Sequence, residues 1–230
     1  MIEIIQAGQS GKTYSLFEMH RLRKKIFKDR MQWDVDIAGE ELEIDNYDLP
    51  ETVYILARDN QGRMTGVWRM LPSTLPSMIR QLWPQFMEDF PLPVHEDAWE
   101  TSRFGVLSYH EGNRENFEDS RRTTALLINA LVEACVLCEI KEIYTLYHPA
   151  VGRAVQPMGF VPESVSQAFP IDGKRAIVGR FKMDEEALSR IRSCTGMHLN
   201  LCREDLPPIL QTRQMTLPPV QNNGGLNAYA

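Results

Sequence analysis

Ala98-Trp99-Glu100-Thr101-Ser102-Arg103-Phe104-Gly105-Val106 reads as a strand that carries two charges through an apolar run, and Val67-Trp68-Arg69-Met70-Leu71 repeats the pattern with one. An unpaired buried charge costs several kcal/mol, so three charges on core strands belong to a functional site or to a closed ion-pair network. The complementary groups lie upstream. Arg23 sits beside the apolar face of a helix, and Asp45 and Asp48 occupy Glu43-Ile44-Asp45-Asn46-Tyr47-Asp48. Side chains three apart on a regular strand point to opposite faces, which would separate Glu100 from Arg103. An extra residue between Thr101 and Gly105, forming a β-bulge, would turn both toward one cleft and free a backbone N–H to polarise a carbonyl.

Around these strands the periodicity alternates between sheet and helix. Residues 2 to 6 suggest a first strand. Ser15-Leu16-Phe17-Glu18 has the form of a capping box for a helix reaching about Asp29, with Leu16, Met19, Leu22, Ile26 and Phe27 on one face. Strands over 52–58 and 66–71 flank Asp59-Asn60-Gln61-Gly62, a hairpin signal. Prolines from Pro72 to Pro93 predict irregular chain with short helical turns. A long helix from about Arg121 to Cys138 leads to a strand over 142–147, a helix from Ala150 to about Pro157, a hairpin closing at Arg175–Phe181 and a last helix from Asp184 to Arg192. The tail from 207 to 230 has little to bury and is expected to be disordered, leaving one domain over 1–206.

Composition narrows the class. In 230 residues, 43% hydrophobic and 24% charged content fits one globular domain. The net charge of -6 argues against a general nucleic-acid binder. Met1-Ile2-Glu3-Ile4-Ile5 has no basic n-region, and no run of eighteen apolar residues occurs, so no membrane association and a cytoplasmic location are expected. Cys135 and Cys138 form a C-x-x-C, but they fall at core positions of the long helix and no second pair completes a tetrahedral metal site. No metal is expected.

The series Arg23, Phe27, Trp33, Asp45, Asp48, Arg69, Glu100 and Arg103 resembles, in type, order and spacing, the signature of the LuxI-type acyl-homoserine lactone synthases, the autoinducer synthases of quorum sensing. Arg69-Met70-Leu71-Pro72-Ser73-Thr74-Leu75-Pro76-Ser77-Met78 resembles the family's arginine-to-proline stretch and Trp99-Glu100-Thr101-Ser102-Arg103-Phe104 its central strand, and the specificity lies in the eight positions in register. The resemblance implies an α/β (α+β) single-domain acyltransferase fold of GNAT type, a mixed central sheet flanked by helices with a V-shaped cleft between central strands. It implies acyl transfer from a thioester to the amine of S-adenosylmethionine, then lactonisation with release of methylthioadenosine. No cofactor is implied; S-adenosylmethionine is a substrate and phosphopantetheine arrives on the donor.

Roles follow from that resemblance and from residue chemistry. Glu100 is the candidate base for the amine, with Arg103 beside it. Arg23, Phe27, Trp33, Asp45, Asp48 and Arg69 are candidates to bind S-adenosylmethionine, the aromatic faces by cation–π attraction to the sulfonium. For Arg69 and Asp48 in particular, a purely structural ion-pair network is an equal alternative. Trp83, Phe104, Gly105, Val106, Tyr147 and His148 are candidates to line the thioester and acyl pocket. Trp83 replaces a more usual phenylalanine, and Tyr147 and His148 are bulky where the family often has threonine or valine; inward-pointing rings there would exclude a long acyl chain or prefer a polar or aromatic acyl group. Arg121 and Arg122, with Lys24, Lys25 and Lys28, are candidates to dock an acidic acyl carrier protein, and no Gly-rich cradle for the pyrophosphate of coenzyme A stands out around Asp119–Ala125. Other readings are a GNAT-type N-acyltransferase using acyl-coenzyme A, or a non-catalytic carrier-protein-binding module. The absence of heptads is compatible with a monomer.

Overall fold

The computed structural model describes residues 1–109 and 113–212, with Asn113 described by its backbone only. β1 (Ile2–Gln6) leads to α1 (Thr13–Arg23), which continues without a break into a π-helical stretch, Lys24–Arg30. The expected capping box is absent: the helix starts earlier, and the Ser15 hydroxyl bonds the Glu3 carboxylate across to β1 at 3.0 and 3.1 Å. A small two-stranded ribbon, β2 (Ile37–Ala38) and β3 (Leu42–Glu43), brings the acidic segment over the end of α1.

β4 (Val53–Arg58) and β5 (Met64–Pro72) form the expected hairpin. Both strands are buried on two faces, and their alternation assigns the faces. Val53, Ile55, Trp68 and Met70 belong to the main core, whereas Tyr54, Leu56 and Val67 pack with Met19, Leu22, Ile26 and Phe27 under α1. Arg69 pairs with Tyr54 across this hairpin and so faces α1 as well. The proline-rich stretch contains two short helices, α2 (Met78–Leu82) and α3 (Phe86–Asp89), and then β6 (Ala98–Val106) enters the centre of the sheet.

α4 (Asn113–Leu137) starts eight residues before the expected Arg121 and covers the main core. Cys135 and Cys138 are buried as free thiols in that core, and no metal-holding group of His, Cys, Asp or Glu occurs among the described residues. β7 (Glu142–Tyr147), α5 (Pro149–Val155) and a 3-10 turn at Gln156–Met158 follow, then β8 (Ser164–Val165), β9 (Phe169–Ile171), β10 (Lys174–Lys182) and α6 (Glu185–Thr195). The ordered chain runs further than expected. After a 3-10 turn at Arg203–Asp205, α7 (Pro208–Gln211) buries Leu210 in the main core, while residues 213–230 of the expected tail lie outside the described residues.

The main sheet has the order β1-β4-β5-β6-β7-β10-β8, with β9 also paired to β10. Every neighbouring pair is antiparallel except β6 and β7. Those two parallel strands pair only from Ala98–Glu142 to Thr101–Thr145, although both continue beyond. Their divergence is the V-shaped cleft, and it positions the site. Among the described residues no helix is long and apolar enough to cross a membrane.

Candidate active site

The bulge lies where β6 leaves β7. Val67 of β5 pairs with Gly105 and Arg69 with Ser102, so β6 carries one more residue than β5 over this interval, and Arg103 adopts a φ of 53°. This left-handed backbone is uncommon for a non-glycine residue and is held by the pairing on either side. Without it Arg103 would face the main core. With it, Arg103 stays on the side of Ser102 and Arg69, and Phe104 takes the opposite face against Trp68 at 4.9 Å between ring centres.

On the α1 side of the sheet three guanidinium groups meet three carboxylates. Arg23, fully buried, donates through Nη1 and Nη2 to the two Asp48 oxygens at 2.6 and 3.0 Å and through Nε to Glu43. Arg69, also fully buried, donates to Asp45 Oδ1 at 2.5 Å, Asp48 Oδ1 at 3.0 Å and Ser102 Oγ at 2.9 Å. Arg103 reaches Glu43 Oε1 at 3.0 Å and lies 2.7 Å from Asp45 Oδ2. The Tyr54 hydroxyl donates to Asp48 at 2.6 Å, and the acidic loop bonds to itself through Asp45 N to Asp48 and Tyr47 N to Asp45, each at 2.8 Å. The formal charges cancel. Burial alone would raise the carboxyl pKa of Asp45 and Asp48. The guanidiniums of Arg69 and Arg103 beside Asp45, and of Arg23 and Arg69 beside Asp48, hold both below the usual carboxylate range.

Glu100 stands apart from this cage. Its carboxylate is buried at the start of α2, where it accepts from the Ser77 hydroxyl and, at 3.3 to 3.4 Å, from the Ile79 N–H. Ser77 is itself the N-cap of α2, its oxygen accepting from Arg80 N at 3.1 Å. Burial raises the Glu100 pKa, partly offset by the Ser77 and Ile79 hydrogen bonds. A carboxyl moved upward in this way is a better proton acceptor at neutral pH than an exposed one.

Glu100 and Arg103 both border a cavity of about 260 Å³ that opens in the cleft. Phe27, Met31 and Trp33 wall one part of it, with Phe27 and Trp33 stacked at 5.1 Å and 20° between planes. Met78, Ile79 and Trp83 border it from the proline-rich stretch, and Thr145 to His148, α5, Phe160 and Phe181 from the far side. The expected residues therefore divide. Glu100, Arg103, Phe27, Trp33, Trp83, Phe104, Tyr147 and His148 border the cavity. Arg23, Arg69, Asp45 and Asp48 form the cage beside it and are not among the bordering residues. Gly105 and Val106 are a correction: after the bulge Gly105 faces α1, where an added Cβ would lie 3.0 Å from Ile26 Cδ1, and Val106 packs on the main core. Arg121 and Arg122 are exposed on α4, inside the helix rather than at its start.

Three groups escaped the sequence reading. Glu43 is completely buried and ties Arg23 to Arg103. It was discoverable, because three arginines require a third acid and Glu43-Ile44-Asp45 places two acids on one face of an extended segment. Ser77 and Ser102 had no signal, since each acts through a contact made only by the fold.

Comparison with known proteins agrees with this geometry. Residues 10–191 match the family described as Autoinducer synthase. An acyl-homoserine-lactone synthase of Agrobacterium fabrum is 30% identical over 195 residues, covering 84% of this chain and 90% of that protein. Among solved structures, the AHL synthase LasI is 28% identical with a TM-score of 0.70, covering 84% of this chain and 94% of that one. A CoA-dependent acyl-homoserine lactone synthase, BjaI, solved with SAM and isopentyl-CoA, shares the fold at 23% identity and a TM-score of 0.71, covering 86% of this chain and 90% of that one.

Proposed function

The chain belongs to the autoinducer synthase family, and from that premise we propose that its cleft makes an acyl-homoserine lactone from S-adenosylmethionine and an acyl thioester. The observation that carries the reading is the meeting of Glu100 and Arg103 in one cavity at the point where β6 and β7 part. In an acyltransferase sheet such a gap admits a thioester arm edge-on. The stacked pair Phe27 and Trp33 offers an aromatic face to a sulfonium.

The reaction has two steps. The substrate's α-ammonium gives a proton to Glu100, directly or through water, and the amine nitrogen attacks the thioester carbonyl. A C–N bond forms, the C–S bond breaks, and the thiol leaves with a proton. Backbone N–H groups at the bulge are suited to the oxyanion. In the second step the methionine carboxylate attacks its own γ-carbon. A C–O bond forms as the C–S bond of the sulfonium breaks, and neutral methylthioadenosine departs. Here the protein mainly folds the substrate into a near-attack geometry. The cage supports the site by holding Arg103 at the cavity edge through Glu43 and Asp45.

For the donor, exposed Arg121 and Arg122 and the lysines of the π-helical stretch, Lys24, Lys25 and Lys28, favour an acidic acyl carrier protein over coenzyme A. S-adenosylmethionine is a substrate, and the two steps consume only it and the thioester. A cytoplasmic location suits both substrates. Mass spectrometry of organic extracts from cells expressing the chain tests the reading. A homoserine-lactone fragment above an empty-vector control is expected. Folded protein that forms none, with every thioester class supplied, would contradict it and favour another amine acceptor.

A further inference from the structure

The cavity's far side is built from rings. Trp68 meets Phe104 edge-on at 4.9 Å and Phe160 at 5.7 Å, Phe160 and Phe181 stack at 4.2 Å, and Tyr147 lies 6.1 Å from Phe181. All five border the cavity. Phe160 and Phe181 are buried in the main core, so this wall cannot retreat without moving that core.

Tyr147 is held from two directions. A Cβ on Gly152 of α5 would stand 2.7 Å from Tyr147 Cε2, and one on Gly179 of β10 would stand 2.9 Å from its Cε1 and Oη. Both glycines leave room that the ring fills, so the phenol lies between α5 and β10 at the far side of the cavity. His148 caps α5, its Nδ1 accepting from Ala150 N at 3.1 Å.

Resting on the lactone-forming reading above, we infer that Tyr147 ends the acyl pocket as its specificity-determining residue, and that the donor carries a compact branched or aromatic acyl group rather than a long straight chain. Flat or branched groups meet the ring wall over most of their surface. A long chain meets Tyr147.

Kinetics of the full-length chain with S-adenosylmethionine test this, using isovaleryl, phenylacetyl, octanoyl and dodecanoyl groups on coenzyme A and on an acyl carrier protein, read as methylthioadenosine release. The better compact donor is expected to exceed dodecanoyl in kcat/KM by at least about tenfold. Tyr147→Ala is expected to shrink that ratio by about tenfold or more without raising the KM for S-adenosylmethionine, while Tyr147→Phe keeps the wild-type ratio. Dodecanoyl preference in the wild type, or an unchanged ratio in Tyr147→Ala, overturns the inference alone. Release with no thioester overturns the reaction itself. Calorimetric affinities for the same coenzyme A thioesters then still report on the pocket, and tighter binding of dodecanoyl would overturn its proposed length.

Discussion

The two sides of the cleft are made of opposite materials. Beside Phe27 and Trp33 stand six formal charges tied by directional contacts, with Arg23, Arg69 and Glu43 wholly buried. Around Tyr147 stand four more rings, and the contacts of all five are apolar and without fixed direction. A charged cage fails when one member is removed, because the partner left behind is still buried. A ring wall changes volume instead, and its substitutions shift what fits. The division suits a reaction in which one substrate is invariant and the other is chosen.

That contrast can be broken most forcefully at Glu43. Glu43→Ala leaves Arg23 and Arg103 short of an acceptor, and a loss of about 3–5 kcal/mol in urea unfolding is expected. A loss under about 1 kcal/mol would mean that the cage is no strut. Next comes Glu100→Gln, expected to lower kcat by about 100-fold with the unfolding midpoint little changed. Its pH dependence sharpens the test. Because burial raises the Glu100 pKa, the wild-type rate should climb with pH along an acid limb lying above the usual carboxylate range of about 4.3, and the variant should lack that limb.

Acid stability follows from the cage. Asp45 and Asp48 have folded pKa values below their unfolded ones, so their contribution is present above about pH 4 and is lost as pH falls toward the folded values. Glu100 has the opposite sign: its raised pKa favours the folded state when protonated, and that contribution fades as pH rises through the folded value. Asp48→Asn should therefore flatten the acid loss of stability seen by circular dichroism; an unaltered acid profile would remove Asp48 from the account.

Smaller effects are expected at the aromatic face and the surface. Trp33→Ala should raise the KM for S-adenosylmethionine about twofold to thirtyfold, the equivalent of roughly 0.5–2 kcal/mol of cation–π attraction. The smallest belongs to Arg121→Glu with Arg122→Glu. A rise of about threefold in KM for a carrier-protein donor at low salt, vanishing in high salt, would support docking there. Equal KM values at both salts would discard these arginines.

The same contrast explains what was legible in the sequence. Charges in apolar strands announce themselves, so Arg69, Glu100 and Arg103 could be singled out, and even the bulge was anticipated because Glu100 and Arg103 had no other way to share a cleft. Glu43 does not stand out, because its segment is short and resembles a solvated loop. The ring wall was only half visible. Tyr147 drew notice by its bulk, but Trp68, Phe160 and Phe181 read as ordinary core, and nothing in spacing distinguishes a core ring from one that also borders a cavity. Gly105 and Val106 are hard to place from sequence for the converse reason: a bulge shifts the alternation by one, and the residues after it cannot be given a face until its position is known.

The most direct test of the account is stoichiometric. Purified chain, S-adenosylmethionine and a compact acyl thioester are incubated together, and free thiol, methylthioadenosine and acyl-homoserine lactone are quantified in one time course. The account predicts the three in equal amounts, all suppressed together in Glu100→Gln. Thiol released without methylthioadenosine would contradict it, since the acyl group would then have gone to another acceptor and the sulfonium would have played no part.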